Sequence, residues 1–388
     1  MDFTYDEEQL ALRDAARSLL TKSYSDFENR RKAVGTGHDG DGPGYDPAVW
    51  GQMAEMGLLA LPFSEEDGGV GAGPVEVGIV AEEVGRVIAP EPFLTTVVLA
   101  GGLVAAVGTD EQRGEIVGGL AAGELVPALA HAEPGSRWQP SARTVSATQD
   151  GDTWTLEGVK EPVPYGATAD LLVVSAALPD GGTGLFTVDP SVDGVERTGY
   201  RTPDGGRAAR VRLSGVTATP LGEAGADATE AIAASYDATR VAAAQEAVGA
   251  MQVALDTTSD YLKSRKQFGV PLKTFQALTF RAADMYVSLE LARSLAQWAT
   301  MVLASPSTDA AERRTAATRA WAQVSRAARH IGQEAIQLHG GIGVTAEYSV
   351  GSYTAHLTTL DHLLGDSRHH LGALARGVAD YDVVDPIG

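Results

Sequence analysis

The 388-residue chain carries 51 acidic and 30 basic side chains, a formal charge of −21, with 44% hydrophobic and 21% charged residues. That composition suits a globular protein of two or three domains, and its field repels phosphate backbones and anionic membranes, so neither nucleic acid nor membrane is an expected partner. The absence of cysteine excludes disulfides, thiolate metal sites and cysteine nucleophiles.

The first residues, MDFTYDEEQL, are acidic and lack the basic-then-apolar pattern of a signal peptide, which gives a cytoplasmic expectation. From Tyr5 to about Gly123 apolar residues recur at spacings of three and four, in EEQLALRDAARSLL, WGQMAEMGLLAL and VEVGIVAEEVGRVIA, predicting a helical first domain over residues 1–124. Between the first two helices, GTGHDGDGPGYDPAVW reads as a surface loop that ends where Asp46 caps a helix and Pro47 takes its first turn. The run from Val97 to Gly108 is too short to span a bilayer, which needs roughly 20 apolar residues, and reads as a buried core helix.

From about Leu125 the period changes. TWTLEG, ADLLVVSAA, GLFTV and ARVRLSGV are strand-like runs separated by turn-forming DG and PDGG, predicting a β-domain over residues 125–225. The helical period returns at Asp227 and is broken near SPSTD and HGGIG, predicting a helix bundle over residues 226–388. Helices, then strands, then helices is an α+β order rather than an alternating one.

Two segments of the bundle carry recognisable chemistry. Arg265-Lys266-Gln267-Phe268-Gly269 follows a long helix and precedes Pro271, Phe275 and Gln276; Gln337-Leu338-His339-Gly340-Gly341-Ile342-Gly343 is followed by Glu347-Tyr348. An arginine offers a bidentate cation for a pyrophosphate, and paired glycines let backbone N–H groups approach one closely. Each segment alone also fits a helix end, as a dipole-complementing cation or a glycine C-cap.

Together, in this order, they resemble the acyl-CoA dehydrogenase family. MDFTYDEEQLALRDAARSLL, GLLALPFSEEDGGVG and AEPGS sit where that family has related sequences, so the resemblance covers nearly the whole chain. It implies that Arg265, Phe268, Gln276, Gln337, Gly340 and Gly341 contact the adenosine and pyrophosphate half of an FAD whose ring lies in a neighbouring subunit. It also implies an acyl-CoA substrate desaturated at the α,β bond, with electrons leaving to an electron-transfer flavoprotein.

The same resemblance exposes gaps. The family's glutamate base aligns with Leu364, and its alternative position beside Arg240 aligns with Thr239. Ala132 stands where a threonine precedes Glu133-Pro134, and Pro162-Val163-Pro164 replaces a tryptophan-x-threonine that flanks the flavin ring; proline has no backbone donor. The chain thus resembles the partner subunit of two-chain dehydrogenases, in which a second subunit brings the catalytic glutamate and steroid side-chain thioesters are a common substrate class.

Two carboxylates offer rival bases, Asp366 and Glu246, which would make a self-sufficient homotetramer. Asp366 fits better as the cap of the final helix, and Glu246 as a partner of a nearby arginine. Arg240 would either order an acyl pocket or pair with acidic residues inside the bundle. His369 and His370 are adjacent on a helix, so they point apart and suit solvent better than a shared metal, and no metal site is expected. The helix from Ala320-Trp321 to Ala335, with Arg326 and Arg329, fits an oligomer surface or the core equally. A third possibility is a non-redox scaffold that binds acyl-CoA or a partner.

Overall fold

A computed structural model describes residues 4–24, 26–35, 42–345 and 348–378. Most of the expected glycine-rich loop, at residues 36–41, and Glu347 lie outside the described residues.

The N-terminal helices are α1 (Glu7–Tyr24), α2 (Phe27–Gly35), α3 (Pro47–Glu55) and α4 (Pro74–Val87). Asp46 accepts from the Ala48 amide with Pro47 in the first turn of α3, which satisfies one of the orphan donors at that end. The apolar run becomes a buried π-helical segment, Phe93–Gly101, continuing as α5 (Gly102–Val107). Two short helices, α6 (Asp110–Gln112) and α7 (Gly118–Ala121), complete this region.

Seven strands follow: β1 (Pro127–Ala130), β2 (Ser146–Asp150), β3 (Thr153–Pro164), β4 (Leu171–Ala177), β5 (Thr183–Val188), β6 (Val195–Arg201) and β7 (Arg207–Pro220). The hydrogen-bonded path β4-β2-β3-β7-β5 closes on itself because β5 also pairs with β4, forming a small barrel without a free edge along that path. β1 lies parallel to β4, and β6 flanks β7. The interior is filled by alternating residues such as Val145, Leu156, Val174, Phe186 and Val211.

The C-terminal bundle is built on α8 (Thr229–Ser264), followed by a hairpin of β8 (Lys266–Gln267) and β9 (Val270–Pro271), then α9 (Gln276–Ala304), α10 (Ala310–His339), α11 (Val350–Leu364) and α12 (Ser367–Arg376). Asp309 and Glu312 form a reciprocal cap at the start of α10, with bonds of 2.8 and 3.1 Å. The main core runs through both helical regions, joining Val80 and Val84 of α4 to Ala247, Val248 and Met251 of α8.

That junction is unusually close. A β-carbon on Gly85 would stand 1.9 Å from the Glu246 carbonyl oxygen, and one on Gly249 would stand 2.1 Å from that of Glu82. Two glycines, one per helix, therefore set the α4–α8 distance and with it the position of Glu246.

Candidate functional site

An apolar cavity of about 200 Å³ opens where the three regions meet. The segment after α4 supplies Glu91 and Leu94, β3 supplies Pro162 and Pro164, and the bundle supplies Glu246, His356 and Leu360. The two prolines of the expected ring-flanking segment therefore face this cavity and offer it no amide donor.

One wall holds an ionic chain spanning two domains. His356 sits between Asp204, on the β6–β7 turn, and Glu246 on α8, with Nδ1 to Asp204 Oδ2 at 3.0 Å and Nε2 to Glu246 Oε1 at 2.7 Å. Glu246 and His356 are buried and Asp204 is half-buried. Burial opposes protonation of the imidazole, but the bonds to Asp204 and Glu246 outweigh it and hold His356 up at about 9. Asp204 stays ionised well below the usual range: burial is overcome by His356, Thr202 and the Gly206 amide. Glu246 pairs with a histidine, not with the arginine that sequence reasoning expected. Its Oε2 accepts no hydrogen bond among the described residues.

Across the cavity Glu91 is 4% exposed. Its Oε1 accepts from the Tyr24 hydroxyl at 2.5 Å and the Asp46 amide at 3.3 Å, and Oε2 is unpartnered. Burial pushes this carboxyl up to about 7.

The other expected site residues gather around the α8 and α10 termini. Arg265 and Gly341 line a second cavity of about 440 Å³ with Tyr261, Ser264, His339 and Tyr348. Arg265 is exposed and makes no ion pair among the described residues. Gly340 has φ +65°, a conformation that favours glycine, and a β-carbon on Gly340 or Gly341 would meet nothing within 4 Å. The backbone there is open to close approach from outside. Phe268 at the hairpin tip is 92% exposed with φ +53°, its ring edge-on to Phe275 at 6.1 Å. Gln276, first in α9, and Gln337, in the last turn of α10, are exposed; neither lines the cavity, and Phe268 does not either.

In the sequence His339 is only one member of the glutamine-to-glycine motif. The structure buries it, stacks it on Tyr261 at 4.4 Å and bonds its Nδ1 to the Ala335 carbonyl at 2.7 Å, leaving Nε2 unpartnered.

At the position aligned with the base, Leu364 is fully buried, and its carbonyl accepts from Arg240 Nε at 3.0 Å. Arg240 also pairs with Asp237 at 2.8 Å and lies over the Tyr236 ring at 5.7 Å. It lines a third cavity of about 250 Å³ with Trp138, Arg314 and His369, which shares no lining residue with the apolar one. Asp366 caps α12, accepting from the His369 amide at 2.8 Å. His370 corrects the expectation of a solvent-facing pair: it is 2% exposed, bonds the Leu364 carbonyl at 3.1 Å and is pushed down to about 4 by burial and then by Arg240. Trp321 likewise belongs to the core, donating to the Gly365 carbonyl at 2.6 Å.

Sequence reasoning also missed a buried ion pair in the β-domain. Lys160 Nζ and Glu133 Oε1 are 2.8 Å apart with side chains 0% and 1% exposed, and Lys160 also donates to the His131 carbonyl and Ser175. Glu133 collects the amides of Arg143, Thr144 and Val145, so the pair ties β3 to the loop after β1. Neither the alternation within β3 nor the sequence of that loop marks such a partner. Among the described residues no group of three or more histidines and acids is placed to hold a metal, and no helix is long and apolar enough to cross a membrane.

Comparison with known proteins accounts for this architecture. The model of the acyl-CoA dehydrogenase N-terminal domain matches residues 6–124, and that of the C-terminal domain matches residues 229–379. FadE12, an acyl-CoA dehydrogenase of Mycobacterium tuberculosis, is 30% identical over 90% of each chain. A chain of the Tcur3481-Tcur3483 steroid ACAD is 32% identical, with a TM-score of 0.85 over 96% of this chain and 98% of that one. A glutaryl-CoA dehydrogenase of Mycobacterium smegmatis in complex with FADH2, at 21% identity, shares the fold with a TM-score of 0.87 over 98% of this chain and 97% of that one. The chain belongs to the acyl-CoA dehydrogenase family, oxidoreductases that act on CH–CH bonds with FAD as their cofactor.

Proposed function

We propose that this chain is one subunit of a two-chain acyl-CoA dehydrogenase, lending the ADP half of an FAD site to a partner that carries the catalytic glutamate. The observation that carries the reading is an asymmetry. Arg265, Gly340 and Gly341 stand exposed and open to a ligand, while a buried leucine, Leu364, fills the base position.

The residues present fit one half of the cofactor and not the other. Arg265 would pair with the pyrophosphate, the Gly340 and Gly341 amides would approach it, and Phe268, Gln276 and Gln337 would meet the adenosine side. On this chain's ring side Pro162 and Pro164 offer no amide donor, and Ala132 no hydroxyl. When bound, FAD supplies the hydride acceptor for α,β-desaturation of a CoA thioester. The partner's glutamate would take the α-proton, and an electron-transfer flavoprotein would receive the electrons. A steroid side-chain thioester is the leading substrate class, in keeping with the steroid enzyme among the structural neighbours.

A partner surface is available for this role. Phe268, Phe275, Phe280, Val287 and Leu291 are exposed along the hairpin and one side of α9, and exposed apolar surface of this kind marks an interface. Sequence reasoning had considered α10 instead. The test is co-expression with a glutamate-bearing dehydrogenase chain. The lent-site reading expects little flavin on this chain alone and a yellow, active heteromer that Arg265→Ala leaves assembled but flavin-poor. A second reading, a self-sufficient enzyme using Glu246, is favoured only by that residue's place in the apolar cavity; stoichiometric FAD and turnover in the chain alone would establish it.

A further inference from the structure

The ionic chain on the cavity wall leaves one acceptor unused. His356 donates both of its N–H groups, one to Asp204 and one to Glu246 Oε1. Asp204 is itself supplied by the Thr202 hydroxyl at 2.5 Å and the Gly206 amide at 3.2 Å. Glu246 is different: it is 3% exposed, lines the apolar cavity, and no described residue donates to its Oε2. That oxygen is therefore free to accept from a molecule in the cavity, and a hydrogen bond to a charged acceptor is stronger than one to a neutral group. Of the other lining residues, Thr95 and Glu91 each keep one unpartnered side-chain oxygen, while Pro162, Pro164, Leu94 and Leu360 offer no donor toward Glu246 Oε2.

We propose that this cavity is a binding site for an apolar alcohol, whose hydroxyl donates to Glu246 Oε2 while its hydrocarbon skeleton packs on Leu94, Leu360 and the two prolines. The imidazolium of His356 orients the carboxylate from behind, and Asp204 orients the imidazolium, so the acceptor is fixed by residues of two domains. Gly85 and Gly249 hold α8 close to α4 and so set its place. The inference does not depend on the flavin assignment, because it concerns this chain's own cavity and requires no cofactor.

The test uses three ligands of one skeleton, 2-indanol, 2-indanone and indane, titrated calorimetrically into the chain purified alone. The alcohol is expected to bind about tenfold more tightly than the ketone or the hydrocarbon, since only it can donate. In Glu246→Gln the amide oxygen keeps the His356 bond and the NH₂ faces the cavity, so the ketone should gain and the preference for alcohol over ketone should vanish. A purely structural Glu246 would leave that ratio unchanged. Equal affinities for the three ligands in the unsubstituted chain overturn the proposal whether or not the variant folds, and so does an unchanged ratio in Glu246→Gln. Intermolecular NOEs from 2-indanol to the methyls of Leu94 and Leu360 are expected; binding without them places the alcohol elsewhere and also overturns it.

Discussion

Residues that sequence reading treated as incidental dominate the buried electrostatics. Glu91 has a folded-state value of about 7 against an ordinary 4.5, so the fold favours its neutral form. Below about 4.5 both states hold the proton and no penalty exists; between 4.5 and 7 only the unfolded chain ionises, and stability falls as pH rises. The loss amounts to roughly 3 kcal/mol. Denaturant unfolding of the native chain and of Glu91→Gln should therefore diverge by that amount from pH 4.5 to 7.5, and parallel curves would show that the carboxyl is solvated. Lys160→Met, by contrast, strands the buried Glu133 charge and should cost about 3–5 kcal/mol at neutral pH, read from the shift in unfolding midpoint. A change below about 1 kcal/mol would mean that the pair behaves as an exposed one. Neither residue was legible as special in the sequence, because Tyr24, Asp46 and Glu91, or His131, Lys160 and Ser175, come together only in the folded chain.

Helices and strands were easier to read than sites. Asp46 before Pro47, Asp309 before Glu312 and Asp366 before the last helix all announce helix starts through chemistry local to one turn. The long strands β3, β4, β5 and β7 carry enough β-branched and apolar residues to stand out. By comparison β1, with only four residues, and β6, with its charged VERTGYR, carry too little pattern. His370 was misplaced for the opposite reason: a histidine on a helix has no local mark of burial, and its partner, the Leu364 carbonyl, belongs to the preceding helix. The α4–α8 contact gives a test at this scale. Gly85→Ala places a methyl group against the Glu246 backbone, which cannot yield as a flexible side chain would. It should cost about 2 kcal/mol or more and lower the melting temperature, whereas a neutral effect would mean that the two helices separate freely.

At the scale of the whole molecule, the α+β order and the family were legible because three regions of distinct periodicity follow one another and motifs punctuate the third. The proposed division of labour between chains rests on comparing what is kept with what is lost. Arg265 and the paired glycines stand at an exposed face, and the position aligned with the base holds Leu364 inside a packed core whose Leu364 and Gly365 carbonyls are bonded by Arg240, His370 and Trp321. In the proposed complex the exposed apolar side of α9 is the surface offered to the second dehydrogenase chain. The measurement that tests this account most directly is the flavin content and mass of the chain purified alone and after co-expression with a glutamate-bearing dehydrogenase. The account predicts a colourless chain alone and an active heteromer whose flavin fills half as many sites as it has subunits. One FAD per chain and acyl-CoA oxidation by this chain alone would contradict it.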